Sequence, residues 1–197
     1  DKDGVYDKAT TFLDGLAFPN GIQCWRGGVI VTMAPEVFYA EDTDGDGKAD
    51  TFLVFMEGLN IPSGIAVGYG GVWIANSPDI LFVQDTDGDG KADTSEVVVT
   101  GFGRDDTHEL PNSLTWGPDG WLYGLNGVFN PAHVTYAPKN PNFKDGQSPW
   151  HFTCAMFRIH PKTREFQVFC EGTSNPWGIA FNDEGDAFIS ACVIDHL

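Results

Sequence analysis

The sequence predicts an all-β fold, a partial β-propeller of about three and a half four-stranded blades. Three observations predict it. The stretch Asp42-Thr-Asp-Gly-Asp-Gly-Lys-Ala-Asp50 recurs unchanged at 85–93, 43 residues later, and a period in the forties is that of propeller blades. A Pro-containing turn, a short strand, a tight Gly reversal and an apolar strand follow one another in each of four units. No stretch holds helical periodicity, because Gly and Pro interrupt the candidates; 24 Gly, 12 Pro and 15 Phe in 197 residues suit short strands and tight turns.

Residues 1–17 read as the outer strand of a preceding blade, with Asp1-Lys-Asp-Gly4 and Asp7 as a worn third acidic loop. The blade at 18–59 opens on Phe18-Pro-Asn-Gly-Ile22 and reverses at Gly27-Gly28 before Val29-Ile-Val31. The blade at 60–104 opens on Ile61-Pro-Ser-Gly-Ile65 and shows the full order, with strands expected at 64–67, 71–76, 80–84 and 95–101. The blade at 105–172 opens on Leu110-Pro-Asn-Ser-Leu114, reverses at Asp119-Gly120 and carries an insertion at 127–150. That insertion is rich in Pro and aromatic residues and is expected on the rim opposite the acidic loops. It reads either as a functional loop or as a lid packed over a neighbouring blade. Residues 173–197 form half a blade, from Asn175-Pro-Trp-Gly-Ile179 to Ala187-Phe-Ile-Ser190. A β-sandwich would not need the same Pro turn and Gly turn in every unit. The remaining blades are expected outside the segment, which lacks an initial Met and a signal peptide and so reads as excised or mature.

The acidic repeats read as calcium turns. Asp42, Asp44, Asp46 and Asp50, and likewise Asp85, Asp87, Asp89 and Asp93, supply hard oxygen ligands at alternating positions. Gly47 and Gly90 permit the sharp turn, and Lys48 and Lys91 stand where a backbone carbonyl ligates. A helix–loop–helix hand would also want a Glu at the twelfth position, and the first loop has Leu53 there. The flanks are strand-like, so these are turns within β-hairpins holding two structural ions, on the rim away from the Pro turns. A solvated acidic turn is the plainer alternative.

Eleven basic against 28 acidic residues exclude nucleic acid as a partner, since nothing would neutralise its phosphates. No apolar run approaches the ~18 residues of a membrane span. Cys24, Cys154, Cys170 and Cys192 have no C-x-x-C spacing, which excludes c-type haem attachment and the usual zinc patterns in this segment. Cys154 and Cys170 flank the Pro161-Lys162 turn, where a cross-strand disulfide and buried free thiols both fit. Weak calcium loops suit a periplasmic, secreted or cell-envelope location.

Arg104-Asp-Asp-Thr-His108-Glu109 precedes the third Pro turn. A His beside carboxylates has the means to act as a general base, although exposed loop histidines are common. His151 and His160 fall in a strand and its turn, where core or surface roles suffice; His196 follows Asp195.

His108, then Leu114-Thr-Trp-Gly-Pro-Asp-Gly-Trp-Leu-Tyr123, resembles the glucose/sorbosone dehydrogenase propellers that use pyrroloquinoline quinone (PQQ). Asn175-Pro-Trp-Gly-Ile-Ala-Phe181 is similar to their Arg-Asn-Pro segment. With both acidic loops and the segment from Phe12 to Gly21, nearly the whole chain looks like the N-terminal propeller of the predicted membrane-bound dehydrogenases of planctomycete and verrucomicrobial type. The resemblance implies six TolB-like blades, a quinone at the centre of one rim, a sugar or polyol substrate, and a cytochrome c module in the same full-length protein. His108 would take the substrate hydroxyl proton as hydride leaves for the quinone. Ser113 and Ser174 stand where that family has arginines, and Gly127 where it has an Asp. Cofactor contacts then fall to Asn112, Asn126, Asn175 and Trp177. Two other functions fit the same sequence: a non-catalytic propeller recognising a glycan or protein through rim loops, and a sugar-lactone hydrolase, for which metal-binding carboxylates are wanting.

Overall fold

The computed structural model describes residue 6 and residues 8–192, and every regular element among them is a β-strand. The run from Asp1 to Gly4, Asp7 and the Asp195-His196 pair lie outside the described residues. The first sheet holds β1 (Pro19–Trp25), β2 (Gly28–Met33), β3 (Glu36–Glu41) and β4 (Thr51–Met56), in that order. The second holds β5 (Pro62–Gly68), β6 (Gly71–Asn76), β7 (Asp79–Gln84) and β8 (Thr94–Thr100). The third unit supplies β9 (Asn112–Trp116), β10 (Leu122–Asn126), a hairpin of β11 (Ala132–Tyr136) and β12 (Trp150–Phe152), then β13 (Ala155–Ile159) and β14 (Phe166–Glu171). A last pair is β15 (Pro176–Phe181) and β16 (Ala187–Ala191). All neighbours pair antiparallel.

The edge strands β1, β5, β9 and β15 lie side by side at the propeller axis, and the sheets radiate from them with the core in the seams between. Ile30 and Val37 meet Ile65, Ile74 and Leu81 in the first seam. Trp73, Phe82, Phe102, Phe157 and Phe166 fill the second; Tyr123 and Met156 face Ile179 and Phe181 in the third. A blade covered on both faces needs apolar side chains on both, which is why β6 and β7 are buried almost continuously while β4 stays largely exposed. The recurring Gly reversal also has a packing cause. A Cβ on Gly28 would lie 2.2 Å from the Ala40 carbonyl oxygen, and one on Gly71, a repeat later, 2.6 Å from that of Val83.

The insertion departs from the expected rim loop. Its hairpin joins the outer edge of the preceding blade, β11 against β8, giving a six-stranded sheet ordered β12-β11-β8-β7-β6-β5. An outer strand left bare would present unpaired N–H and C=O groups, and the hairpin covers them. Asn140 fastens the return by donating to the Val98 and Arg164 carbonyls at 2.8 and 3.1 Å. The segment thus extends the edge of the neighbouring blade's sheet instead of lying as a loop over a rim. The four cysteines are free thiols: β13–β14 pairing sets Cys170 opposite Met156, so no disulfide joins it to Cys154.

Candidate functional site

Each acidic loop is wrapped around its first carboxylate. Asp42 accepts from the Gly45 and Gly47 N–H groups at 2.6 and 2.8 Å, and Asp85 from Gly88 and Gly90 at 2.6 and 2.9 Å. Asp44 and Asp46 accept from the Asp46 and Lys48 N–H groups, as Asp87 and Asp89 do from Asp89 and Lys91. The ninth positions, Asp50 and Asp93, accept from the hydroxyls of Thr43 and Thr86 at 2.8 and 2.7 Å. These bonds favour ionised carboxylates: the Gly47 N–H first of all holds Asp42 below the usual range, and the Thr43 and Thr86 hydroxyls do so for Asp50 and Asp93.

Oxygens of Asp42, Asp44 and Asp50 lie within 4.8 Å of one another, as do those of Asp85, Asp87 and Asp89. An all-oxygen set of that span fits a calcium ion with bonds of about 2.3–2.6 Å. Asp46 falls outside the first trio and Asp93 outside the second; the backbone N–H groups of Lys48 and Lys91 donate to Asp46 and Asp89. Each loop also reaches the neighbouring unit. The Ala49 N–H donates to the Phe12 carbonyl at 2.9 Å, and that of Ala92, one repeat later, to the Phe55 carbonyl at 2.8 Å. A groove of ≈ 470 Å3 lies beside the second junction, between β4 and residues 91–95. The second loop thus braces adjoining blades, while the first ties down a stretch in which the described residues before Pro19 form no strand, in place of the outer strand expected at 1–17.

His108 is 91% exposed, with its Nδ1 2.9 Å from the Asp106 carboxylate. The His108 backbone N–H and ring hold Asp106 below the ordinary carboxylate range. Asp106 and Asn130 exchange bonds at 3.0 and 2.6 Å, tying this loop to the base of the insertion. Gly127 has a steric reason: a Cβ there would fall 2.2 Å from that of buried Glu109, whose carboxylate accepts from the Phe129 N–H at 3.0 Å.

The asparagines divide. Asn112 is fully buried and donates to the Leu110 and Pro176 carbonyls at 3.0 and 3.3 Å, locking β9 to the next unit. Ser63, at the same repeat position, donates to the Pro111 carbonyl at 2.7 Å. Asn126 is also fully buried, its amide shared among the Gly127, Asn130 and Thr153 carbonyls. Its Oδ1 and that of Asn175 find no partner. Trp177 is 42% exposed and is among the residues lining a ≈ 290 Å3 axial cleft between β1, β5, β9 and β15. Asn20, Gln23, Ser63, Ser113 and Thr115 supply its polar lining. His108 is not part of that lining. Asn20, Ser63 and Trp177 each follow the proline of their own turn; the sequence singles out Trp177, and carrying its position across the aligned Pro turns adds Asn20 and Ser63.

Sheets of antiparallel strands set around a polar axial cleft define an all-β propeller domain. Residues 1–52 and 41–194 match DUF7133, described as a domain of unknown function, and the chain belongs to that family. No curated protein matches it. A crystal structure described as that of a candidate gluconolactonase is similar in fold, with a TM-score of 0.61 and 18% identity, over 91% of this chain and 58% of that one. The chain therefore spans a little over half the length of that structure.

Proposed function

We propose that this chain is the sugar- or polyol-recognising part of a calcium-braced β-propeller that works in the periplasm or outside the cell. One observation carries the reading: among the described residues the axial cleft is lined by amides, hydroxyls, aliphatic side chains and the half-exposed Trp177, with no Lys, Arg, Asp or Glu. Neutral polyhydroxylated rings want such a lining, hydrogen-bonding groups around the edge and an aromatic face to lie on. The test is titration with neutral sugars, polyols and sugar lactones, followed by tryptophan fluorescence. Saturable quenching that is lost in Trp177→Ala is expected; quenching unchanged in that variant would rule the cleft out.

An anionic quinone does not fit these residues. Charge-assisted contacts to its carboxylates would each contribute roughly 1.5–3 kcal/mol, yet the described residues of the cleft include no cation, and the amides of Asn112 and Asn126 are spent on backbone carbonyls. The His108–Asp106 pair favours a second reading, an oxidoreductase with His108 as base, because the carboxylate orients the ring. Dye reduction by sugars or polyols, lost in His108→Ala, would support it. A sugar lactone belongs to the same neutral ligand class, but the lining has no carboxylate with which to hold a hydrolytic metal.

A further inference from the structure

His133 and His151 stand directly opposite each other on β11 and β12. Both are exposed, their Nδ1 atoms are 2.6 Å apart, and their rings cross at 76° with centroids 4.7 Å apart. Nitrogens this close cannot both carry a proton on the facing side, so at least one lone pair points into the gap. We propose that this pair binds a late first-row divalent cation, copper(II) most tightly, with zinc and nickel following. Imidazole nitrogen suits these ions, whereas calcium wants oxygen. At metal–nitrogen bonds of about 2.0–2.1 Å, two ligating nitrogens lie about 3 Å apart. A small rotation of the two rings opens the gap that far.

The hairpin holds the rings ready. Ala132, Val134 and Phe152 point inward and are almost wholly buried, so the alternating residues His133 and His151 must point outward. The His133 N–H donates to the Gly101 carbonyl at 2.8 Å, fixing β11 to the blade beneath. Two protein ligands leave the remaining coordination positions to water or to a bound small molecule. The ion would clamp together the two strands of the hairpin that covers the β8 edge.

The full chain, held in millimolar calcium to occupy the acidic loops, is titrated with copper(II) and zinc(II) by calorimetry, alongside His133→Asn and His151→Asn. Uptake of a single ion is expected in the wild type, with copper resonance spectra showing imidazole nitrogen couplings. Loss of uptake is expected in both variants, with their metal-free melting temperatures unchanged. No saturable uptake by the wild type would reduce the pair to a shared proton and overturn the proposal. Equal uptake by either variant, or copper spectra without nitrogen couplings, would overturn it too.

Discussion

Asp42 collects the N–H groups of Gly45 and Gly47, and this has a consequence in acid. Its folded pKa lies below the ordinary value, chiefly through the Gly47 N–H. The resulting stability is therefore present above about pH 3.9 and is lost as pH falls through the folded value. In chelator, Asp42→Asn should flatten the fall of melting temperature below pH 4 relative to wild type; parallel curves would show that the loop bonds contribute nothing. The folding of the acidic loops around their own carboxylates was legible in the sequence because that geometry is local, set by spacing within nine residues. The place of Asn112 was not, because its partner, the Pro176 carbonyl, lies 64 residues away and only blade packing brings it near.

The strands of the second unit followed from its sequence almost residue by residue, since a Gly reversal, the Ser77-Pro78 turn and the acidic loop fix where its three hairpins turn. The inserted hairpin did not follow. Its β12 has only three residues, and β11 pairs with a strand of the preceding unit, a contact that no local pattern announces. The reversal glycines make a sharp prediction. Gly71→Ala sets a methyl 2.6 Å from the Val83 carbonyl oxygen, so backbone must shift. A loss of about 2 kcal/mol or more is expected in urea unfolding. A loss below about 0.5 kcal/mol, the size of an ordinary surface change, would mean that this approach is not tight. Val134, wholly buried between the hairpin and the second seam, gives a second prediction. Val134→Asp buries an unpaired charge and should free the β8 edge, seen as self-association in sedimentation. A monomeric, fully stable variant would show that the hairpin is dispensable.

Across the molecule, two features repeat with the blades: acidic loops that touch the neighbouring unit, and side chains that bond the next Pro turn. Calcium should therefore act on stability and leave the axial cleft alone. Chelation should lower the melting temperature of the wild type, and Asp44→Ala with Asp87→Ala should remove most of that response while leaving sugar affinity unchanged. Equal melting in calcium and in chelator would undo the bracing account. The lining of the cleft separates a neutral ligand from an anionic cofactor, which fold likeness alone does not do. The most direct measurement is a calorimetric titration of the full-length protein with the best sugar or polyol, with and without saturating PQQ, in wild type and Trp177→Ala. Sugar affinity indifferent to the quinone and abolished by Trp177→Ala is the predicted result. Binding that appears only with quinone, or that survives in Trp177→Ala, would contradict it.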